Sequence, residues 1–238
     1  MFREHHDCFD DCAERYEAVV RQGVRLSGET LEFFARARVE FLVRALRGWG
    51  VYPRIRRILD YGCGTGGTSQ LLLTAFPCVE VVGVDRSEGM IREARSRNDQ
   101  PALHFKRLDS SPRSSGTGFD LVYACNVFHH IDPVQRPAIL RSLFASTATG
   151  GYLALVENNP WNPGTRAVMA RISFDRDAVP VNPFTARQLL VAAGFQVALS
   201  RSLFFFPRFL AGLRFLEPAL SFLPLGAQHT ILARKVSS

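Results

Sequence analysis

The chain has 238 residues, of which 47% are hydrophobic and 21% charged, and its mean hydropathy is +0.01. This is the composition of a globular protein, and it excludes a disordered, collagen-like or coiled-coil chain. The net charge of +7 comes almost entirely from arginines that are scattered along the chain. Because no aromatic and basic module accompanies them, no nucleic-acid partner is predicted.

The cysteines and the apolar runs indicate the cellular compartment in which the protein is expected. No apolar run approaches the roughly 20 residues of a membrane-spanning helix, and the N-terminus lacks a signal-peptide pattern, so a cytoplasmic protein is expected. Five cysteines in a chain of this length do not indicate a disulfide framework. Cys8 and Cys12 lie near His5 and His6, but no second ligand pair follows at the spacing of a zinc site. No metal site is therefore predicted.

Two helices are predicted before the first strand. Apolar residues recur with a helical period from Leu31 to Trp49, and an earlier helix is predicted over 12–22. The first strand begins only near residue 55. Residues 1–54 are therefore predicted to form a helical cap on the core.

From residue 55 onwards, short apolar strands alternate with helices. The strands are predicted at 57–61, 79–85, 103–108, 119–125, 152–157, 195–200 and 230–235, and the helices at 68–75, 87–97, 133–147 and 184–193. This alternation predicts an α/β, Rossmann-like, doubly wound seven-stranded sheet that is mostly parallel, with the last strand antiparallel. We expect a single domain over 1–238, with its core at 55–200 and an apolar insertion and the last strand at 201–238.

A glycine-rich loop follows the first strand. Glycines at positions 62, 64 and 66 let the backbone turn sharply and approach a ligand closely, at the sheet edge where open α/β folds bind ligands. Gly62, Gly64 and Gly67 also satisfy the dinucleotide fingerprint G-x-G-x-x-G. Asp85, at the end of the second strand, suits the ribose of a dinucleotide or of another nucleoside cofactor. The loop by itself therefore leaves an NAD(P)-dependent oxidoreductase open.

Five sequence blocks, in this order and spacing, resemble the class I S-adenosylmethionine-dependent methyltransferases. They are LDYGCGTGG at 59–67, VVGVDRSEGM at 81–90, Leu108-Asp109, FDLVYACNVFHHI at 119–131 and GGYLALVE at 150–157. A nicotinamide enzyme seldom begins its fingerprint after two helices or ends its fourth strand in NVFHHI. The resemblance implies S-adenosylmethionine as the cofactor and a small-molecule methyl acceptor. An alternative function, of a different class, is that of a partner protein that binds the cofactor without catalysing methyl transfer.

The resemblance also implies cofactor-binding roles by position. The loop glycines would approach the methionine part of the cofactor, whose amino group Asp60 would orient. Asp85 would accept hydrogen bonds from the ribose hydroxyls, Asp109 would accept one from the adenine amine, and Asn126 would lie beside the methyl group. The full predicted set is Tyr16, Asp60, Gly62, Cys63, Gly64, Gly66, Asp85, Arg86, Met90, Leu108, Asp109 and Asn126.

The candidate catalytic residues are His129, His130 and Glu157. The two histidines directly follow the fourth strand, and a histidine titrates near neutrality, which suits a base toward an acceptor hydroxyl. Only one of two adjacent residues is expected to face the site. Glu157 ends the fifth strand, where it is able to orient a histidine or bind an amine. Positioning without a base is the alternative mechanism.

An apolar insertion lies between the last two predicted strands, at 203–225 (LFFFPRFLAGLRFLEPALSFLPL). Its prolines break it into short pieces, so no single helix is expected to span it. Three interpretations stay open: a flap on the core or on a second copy in a homodimer, a pocket for a hydrophobic acceptor, and a membrane-surface segment. We expect a hydrophobic or lipid-linked acceptor and a possible peripheral membrane contact.

Overall fold

The computed structural model describes residues 17–77, 79–108, 116–175 and 177–236. A seven-stranded sheet lies at its centre, with the strand order β3-β2-β1-β4-β5-β7-β6. The strands are β1 (Arg57–Tyr61), β2 (Glu80–Asp85), β3 (Leu103–Arg107), β4 (Phe119–Cys125), β5 (Thr147–Asn158), β6 (Gln196–Leu203) and β7 (Gln228–Arg234). Neighbouring strands from β3 to β5 are parallel, and β7 is antiparallel to both β5 and β6. The predicted fold class is confirmed.

Helices cover both faces of the sheet. They are α1 (17–24), α2 (Leu31–Gly48), α3 (Gly67–Ala75), α4 (Glu88–Arg97), α5 (Arg136–Ser146), α6 (Pro163–Met169), α7 (Pro183–Ala192) and α8 (Glu217–Leu220). One apolar cluster joins α2, α3 and α4 to the sheet, and a second joins α5 and α7 to it. In α2, Val39, Leu42, Val43 and Leu46 are buried at helical spacing, as the sequence periodicity predicts.

Several helices begin after a residue whose side chain accepts a hydrogen bond from a free N–H group of the first turn. The Thr30 hydroxyl accepts a hydrogen bond from the N–H of Phe33 at the start of α2, and the Ser87 hydroxyl accepts one from Met90 at the start of α4. Asn182 caps α7 in the same way. Asn162 caps α6, a helix that the sequence analysis did not predict.

The boundary between α5 and β5 differs from the prediction of a helix over 133–147 and a strand from 152. The helix begins only at Arg136, because the Asp132 carboxylate accepts the N–H of Val134 at 2.9 Å and forms a turn first. The strand begins at Thr147 and runs through both glycines. A Cβ on Gly151 would lie 3.0 Å from the carbonyl oxygen of Asp120, so the glycine there permits close backbone approach within the strand.

The insertion between β6 and β7 folds as short helical pieces, as predicted. A 3-10 segment over Arg208–Leu216 is followed by α8. Arg214 pairs with Glu29 at 2.7 Å and lies over the ring of Phe33, so the insertion packs against the N-terminal helices. In the ranges given above, no helix is long and apolar enough to cross a membrane.

Candidate functional site

A cavity of about 840 Å³ opens at the carboxyl ends of β1 and β4. The glycine loop after β1 and the turn after β4 form its base, and the helices α1 and α2 and the start of the insertion form its walls. This is the edge at which open α/β sheets bind their ligands, because the strand order reverses between β1 and β4. The fold therefore places a cavity where the sequence motif predicts a ligand site.

The three loop glycines have positive φ angles of 75°, 54° and 81° at positions 62, 64 and 66. A Cβ on Gly62 would lie 2.3 Å from the Val127 side chain, and one on Gly66 would lie 2.6 Å from the ring of Phe105. A Cβ on Gly64 would meet nothing within 4 Å. Gly62 and Gly66 are thus required by packing, whereas Gly64 leaves open space at the cavity, which a ligand can fill.

Asp60 lies on β1 beneath the loop and lines the cavity. Its carboxylate is buried and accepts a hydrogen bond from the Ser69 hydroxyl at 2.6 Å. Burial raises the pKa of Asp60 to about 7, against the hydrogen bond from Ser69, which lowers it. A cationic group of a ligand opposite Asp60 would stabilise the ionised carboxylate, so the predicted role of Asp60 toward an amino group fits this environment.

Asp85 connects the glycine loop to the end of β2. One carboxylate oxygen accepts the N–H of Gly64 at 3.0 Å, and the other accepts the N–H of Ser87 at 3.0 Å. Asp85 thus supports the loop through Gly64, but it is not among the described residues that line the cavity, and its predicted contact with a ribose stays a prediction.

The other predicted cofactor residues divide by position. Cys63 and Asn126 line the cavity. Arg86 is exposed, Met90 and Leu108 are buried, and none of the three is among the described residues that line the cavity. Tyr16 and Asp109 lie outside the described residues, as do Cys8, Cys12, His5 and His6. The predicted adenine side therefore borders a part of the chain that the structure does not describe.

Asn126 has a positive φ of 56°, which is uncommon for a residue other than glycine. Its N–H donates to the carbonyl oxygen of Val156 at 2.9 Å, and its side-chain oxygen accepts a hydrogen bond from Gln228 at 3.3 Å. Gln228 in turn accepts one from Arg38 at 3.0 Å. These contacts hold the Asn126 side chain at the cavity wall, where the prediction expects it beside the reacting methyl group.

Glu157 is fully buried at the end of β5 and holds the turn after β4. One of its oxygens accepts the N–H groups of Val127 at 2.9 Å and Phe128 at 2.7 Å. The other lies 2.6 Å from Nδ1 of His129. Burial would raise the pKa of Glu157, but the charge of His129 and these hydrogen bonds lower it. Glu157 therefore fixes both the turn and the imidazole orientation.

His129 and His130 both line the cavity, although only one of them was expected to face it. They lie in a 3-10 turn over Phe128–His130, with ring centroids 4.1 Å apart. Burial lowers the pKa of His129, but the charges of Glu157 and Asp175 raise it to about 9. His130 is the more exposed of the two rings.

Asp175 completes this polar group, and the sequence analysis did not identify it. One of its carboxylate oxygens lies 3.3 Å from Nε2 of His130 and 3.7 Å from Nε2 of His129. Asp175 lies in a short 3-10 segment after α6, where no motif surrounds it.

Glu17 was also missed by the sequence analysis. It accepts a hydrogen bond from Thr65 at 3.2 Å and pairs with Arg97, which brings α1 over the glycine loop.

The rest of the cavity wall is mostly apolar. Phe34 on α2, Phe174 beside Asp175 and the phenylalanines at 204–206 face the same space as the histidines. Residues of α1 and α6 extend this surface, among them Val24 and Val168. The cavity thus has a backbone-lined side at the glycine loop, a polar end at His130 and Asp175, and an apolar wall.

Residues 59–153 match the family model of the methyltransferase domain. The trans-aconitate 2-methyltransferase of Variovorax paradoxus is 32% identical over 145 residues, which are 60% of this chain and 54% of that protein. The protein of the same name from Methylobacterium nodulans is 30% identical over 58% of this chain and 49% of its own. The chain thus spans about half the length of the curated relatives it matches.

A methyltransferase solved in complex with the Haloferax volcanii Trm112 methyltransferase activator superposes with a TM-score of 0.63 at 16% identity. The match covers 96% of this chain and 98% of that chain. A likeness at this identity shows the fold alone. Four of the five sequence blocks on which the resemblance rests lie wholly within the residues matched by the family model, and that resemblance is confirmed.

Proposed function

We propose that this chain, whose residues 59–153 belong to a class I S-adenosylmethionine-dependent methyltransferase domain, transfers a methyl group to a small molecule that has an apolar body and a polar reacting end. The observation that carries this proposal is the division of one cavity into a backbone-lined side, a polar end and an apolar wall. A ligand cavity is usually apolar with a few placed polar groups, and this one follows that rule.

The residues of the glycine loop fit the cofactor of this family. Open space at Gly64 would allow the cofactor to approach the backbone closely, and the carboxylate of Asp60 would accept a hydrogen bond from its amino group. Asp85, which holds the loop through the N–H of Gly64, would accept hydrogen bonds from the ribose hydroxyls. When bound there, S-adenosylmethionine would supply an electrophilic methyl group on a sulfonium. The NAD(P) alternative has the weaker support, since neither the family model nor the sequence blocks favour it.

The chain's own contribution is alignment and the exclusion of water. Glu17 holds α1 over the glycine loop through Thr65 and Arg97, and the phenylalanines at 204–206 close the opposite wall. Holding two reactants in line can account for about 7–11 kcal/mol of a barrier. These two walls would therefore exclude water and fix the acceptor relative to Asn126.

The polar end would hold the reacting group of the acceptor. Glu157 is occupied with His129 and two backbone N–H groups, so it acts as a positioning residue. His130 and Asp175 line the cavity at this end and would face the reacting group of the acceptor. The apolar wall favours a hydrophobic or lipid-linked molecule for the remainder.

A small carboxylic acid is a second candidate acceptor. The curated relatives are named for trans-aconitate, and Arg38 places a guanidinium at the cavity wall beside Gln228 and Asn126. An arginine is suited to bind a carboxylate through paired hydrogen bonds. The two candidates differ in charge. An acid would place its carboxylate at Arg38, whereas an uncharged lipid would bring no charge into the cavity.

Transfer of label from S-adenosylmethionine with a radioactive methyl group tests the proposal. The full chain is incubated with organic-soluble and with water-soluble small-molecule extracts, and Asp85→Ala serves as the blank. Label in the organic-soluble fraction supports the apolar acceptor, and label in small acids supports the second candidate. Bound cofactor without label in either fraction would show a non-catalytic binding protein and overturn the proposal.

A further inference from the structure

Three potential metal-ligand atoms converge at the polar end of the cavity. They come from His129, His130 and Asp175, and one ligand atom of each residue lies within 4.8 Å of the other two. One carboxylate oxygen of Asp175 lies 3.7 Å from Nε2 of His129 and 3.3 Å from Nε2 of His130. We propose that these three side chains bind a divalent transition-metal ion, with Zn²⁺ as the ion that the donor set fits best. Nothing in the sequence predicts this site, because Asp175 joins the histidines only through the fold.

The distances from the Asp175 oxygen to the two rings are close to those between two ligands of one ion. The Asp175 oxygen lies 3.3 Å from one ring nitrogen and 3.7 Å from the other. An N–H to oxygen hydrogen bond usually spans about 2.7–3.2 Å, so both separations are long. Ligands at about 2.0–2.2 Å around a tetrahedral Zn²⁺ lie about 3.3–3.6 Å apart. The Asp175 oxygen is thus spaced from the two ring nitrogens roughly as ligands of one ion would be.

Glu157 supplies the support that metal-binding histidines usually have. Its carboxylate oxygen lies 2.6 Å from Nδ1 of His129, which directs Nε2 toward Asp175 and the cavity. A histidine ligand commonly donates its other ring N–H to a carboxylate, which fixes the tautomer and the ring orientation. Glu157 is itself fixed by two backbone N–H groups, from Val127 and Phe128, so this support is rigid.

The donor set also indicates the class of ion. Two imidazoles and one carboxylate are the ligands of zinc and non-haem iron sites, whereas Mg²⁺ and Ca²⁺ prefer oxygen donors alone. Three protein ligands leave at least one coordination position open, as in catalytic rather than structural zinc sites. Because the three side chains line the cavity, that position would face the acceptor.

The role of the ion rests on the proposed function, whereas its binding does not. An ion at this position would bind an oxygen atom of the acceptor and lower the pKa of its hydroxyl. The two histidines and Asp175 would then act as ligands, and the acceptor hydroxyl would lose its proton to water, so that its oxygen could take the methyl group. Binding of the ion alone requires no cofactor and no acceptor, so it can be measured separately.

Titration of the full chain with Zn²⁺ by calorimetry, and with Co²⁺ by visible absorption, tests the site. Both titrations use a Cys8→Ser/Cys12→Ser background, because those cysteines are potential ligands by residue type. We expect one equivalent of Zn²⁺ to bind, tetrahedral Co²⁺ bands to appear and Mg²⁺ to give no signal. His130→Ala and Asp175→Ala should each lower the Zn²⁺ affinity at least 100-fold, and Glu157→Gln about 10–100-fold.

The matched controls are His104→Ala and Asp99→Ala, which remove an exposed histidine and an exposed aspartate away from the cavity. They should leave the Zn²⁺ affinity unchanged, and circular dichroism should confirm that each variant is folded. Binding that survives His130→Ala and Asp175→Ala, or no binding to the folded chain, would overturn the proposal. Binding of S-adenosylhomocysteine in the same preparations reports on the proposed function independently.

Discussion

The two sides of the cavity are built differently. The glycine-loop side consists of backbone and of side chains from the motifs at the ends of β1 and β4. The other side, which comprises the polar end and the apolar wall, we call the acceptor side. It brings together side chains from α2, from the turn after β4, from the segment after α6 and from the insertion between β6 and β7. A sequence motif can therefore describe the first side, whereas the second exists only once the sheet has assembled. Under the proposed function, the glycine-loop side would bind the cofactor and the other side would bind the methyl acceptor.

The largest effect is expected on the acceptor side, from Glu157→Ala. This change leaves His129 and two backbone N–H groups buried without their acceptor, which typically costs about 3–5 kcal/mol when a buried ion pair loses one partner. Urea unfolding measures the loss. The control, Glu80→Ala, breaks a half-exposed pair with Arg57 and should cost at most about 1 kcal/mol. Equal losses in the two variants would contradict the structural role of Glu157.

Two glycine substitutions separate packing from ligand approach on the glycine-loop side. Gly62→Ala places a Cβ 2.3 Å from Val127 at a positive φ, so it should cost about 2–4 kcal/mol of unfolding free energy. Gly64→Ala meets no protein atom within 4 Å, so only its φ opposes it, at about 1–2 kcal/mol.

Cofactor binding should respond in the opposite order to stability. Gly64→Ala should lose most affinity for S-adenosylhomocysteine in calorimetry, since its methyl group would fill the space at the loop. If Gly64→Ala binds as well as the unchanged chain, the ligand does not approach the backbone there.

The Asp60 carboxylate gives a pH dependence. The pKa of Asp60 in the folded chain is about 7, above its ordinary value of 3.8, so its burial makes stability fall as the pH rises between these two values. Affinity for S-adenosylhomocysteine should change the other way, by about tenfold between pH 6 and pH 8, because only the ionised carboxylate pairs with the amino group. Both trends should be lost in Asp60→Asn. A pH-independent affinity in the unchanged chain would remove Asp60 from the site.

The smallest effect on stability is expected in the insertion, from Phe209→Ser and Phe215→Ser. These side chains are 80% and 74% exposed, so each change should alter the free energy of unfolding by about 0.5 kcal/mol or less. Sedimentation with anionic vesicles and light scattering of the free chain measure what the residues contact instead. Loss of vesicle binding supports a membrane-surface segment, and loss of a dimer supports contact with a second copy. A large loss of stability would favour a flap packed on the core.

Prediction from sequence succeeded where the signal is local. Periodicity indicated α2, the alternation of strands and helices indicated the sheet, and the motif after β1 indicated the cavity. Prediction failed at the start of β5. Gly150 and Gly151 lie within the strand, where Gly151 permits close backbone approach, but in the sequence they resemble glycines that precede a strand.

The same reasoning could not find Asp175 or Glu17. Each is an ordinary acidic residue in its own segment, and it acquires a partner only through contacts between distant parts of the chain. The roles assigned to Asp85, Asn126 and the two histidines remain predictions that the experiments above address.

Calorimetric titration of the full chain with S-adenosylhomocysteine, with NADH in parallel, tests the central claim most directly. We expect micromolar binding of S-adenosylhomocysteine that Asp85→Ala abolishes, that Asp99→Ala leaves unchanged, and no binding of NADH. Binding of NADH without binding of S-adenosylhomocysteine would contradict the account, and the glycine loop would then be a dinucleotide site.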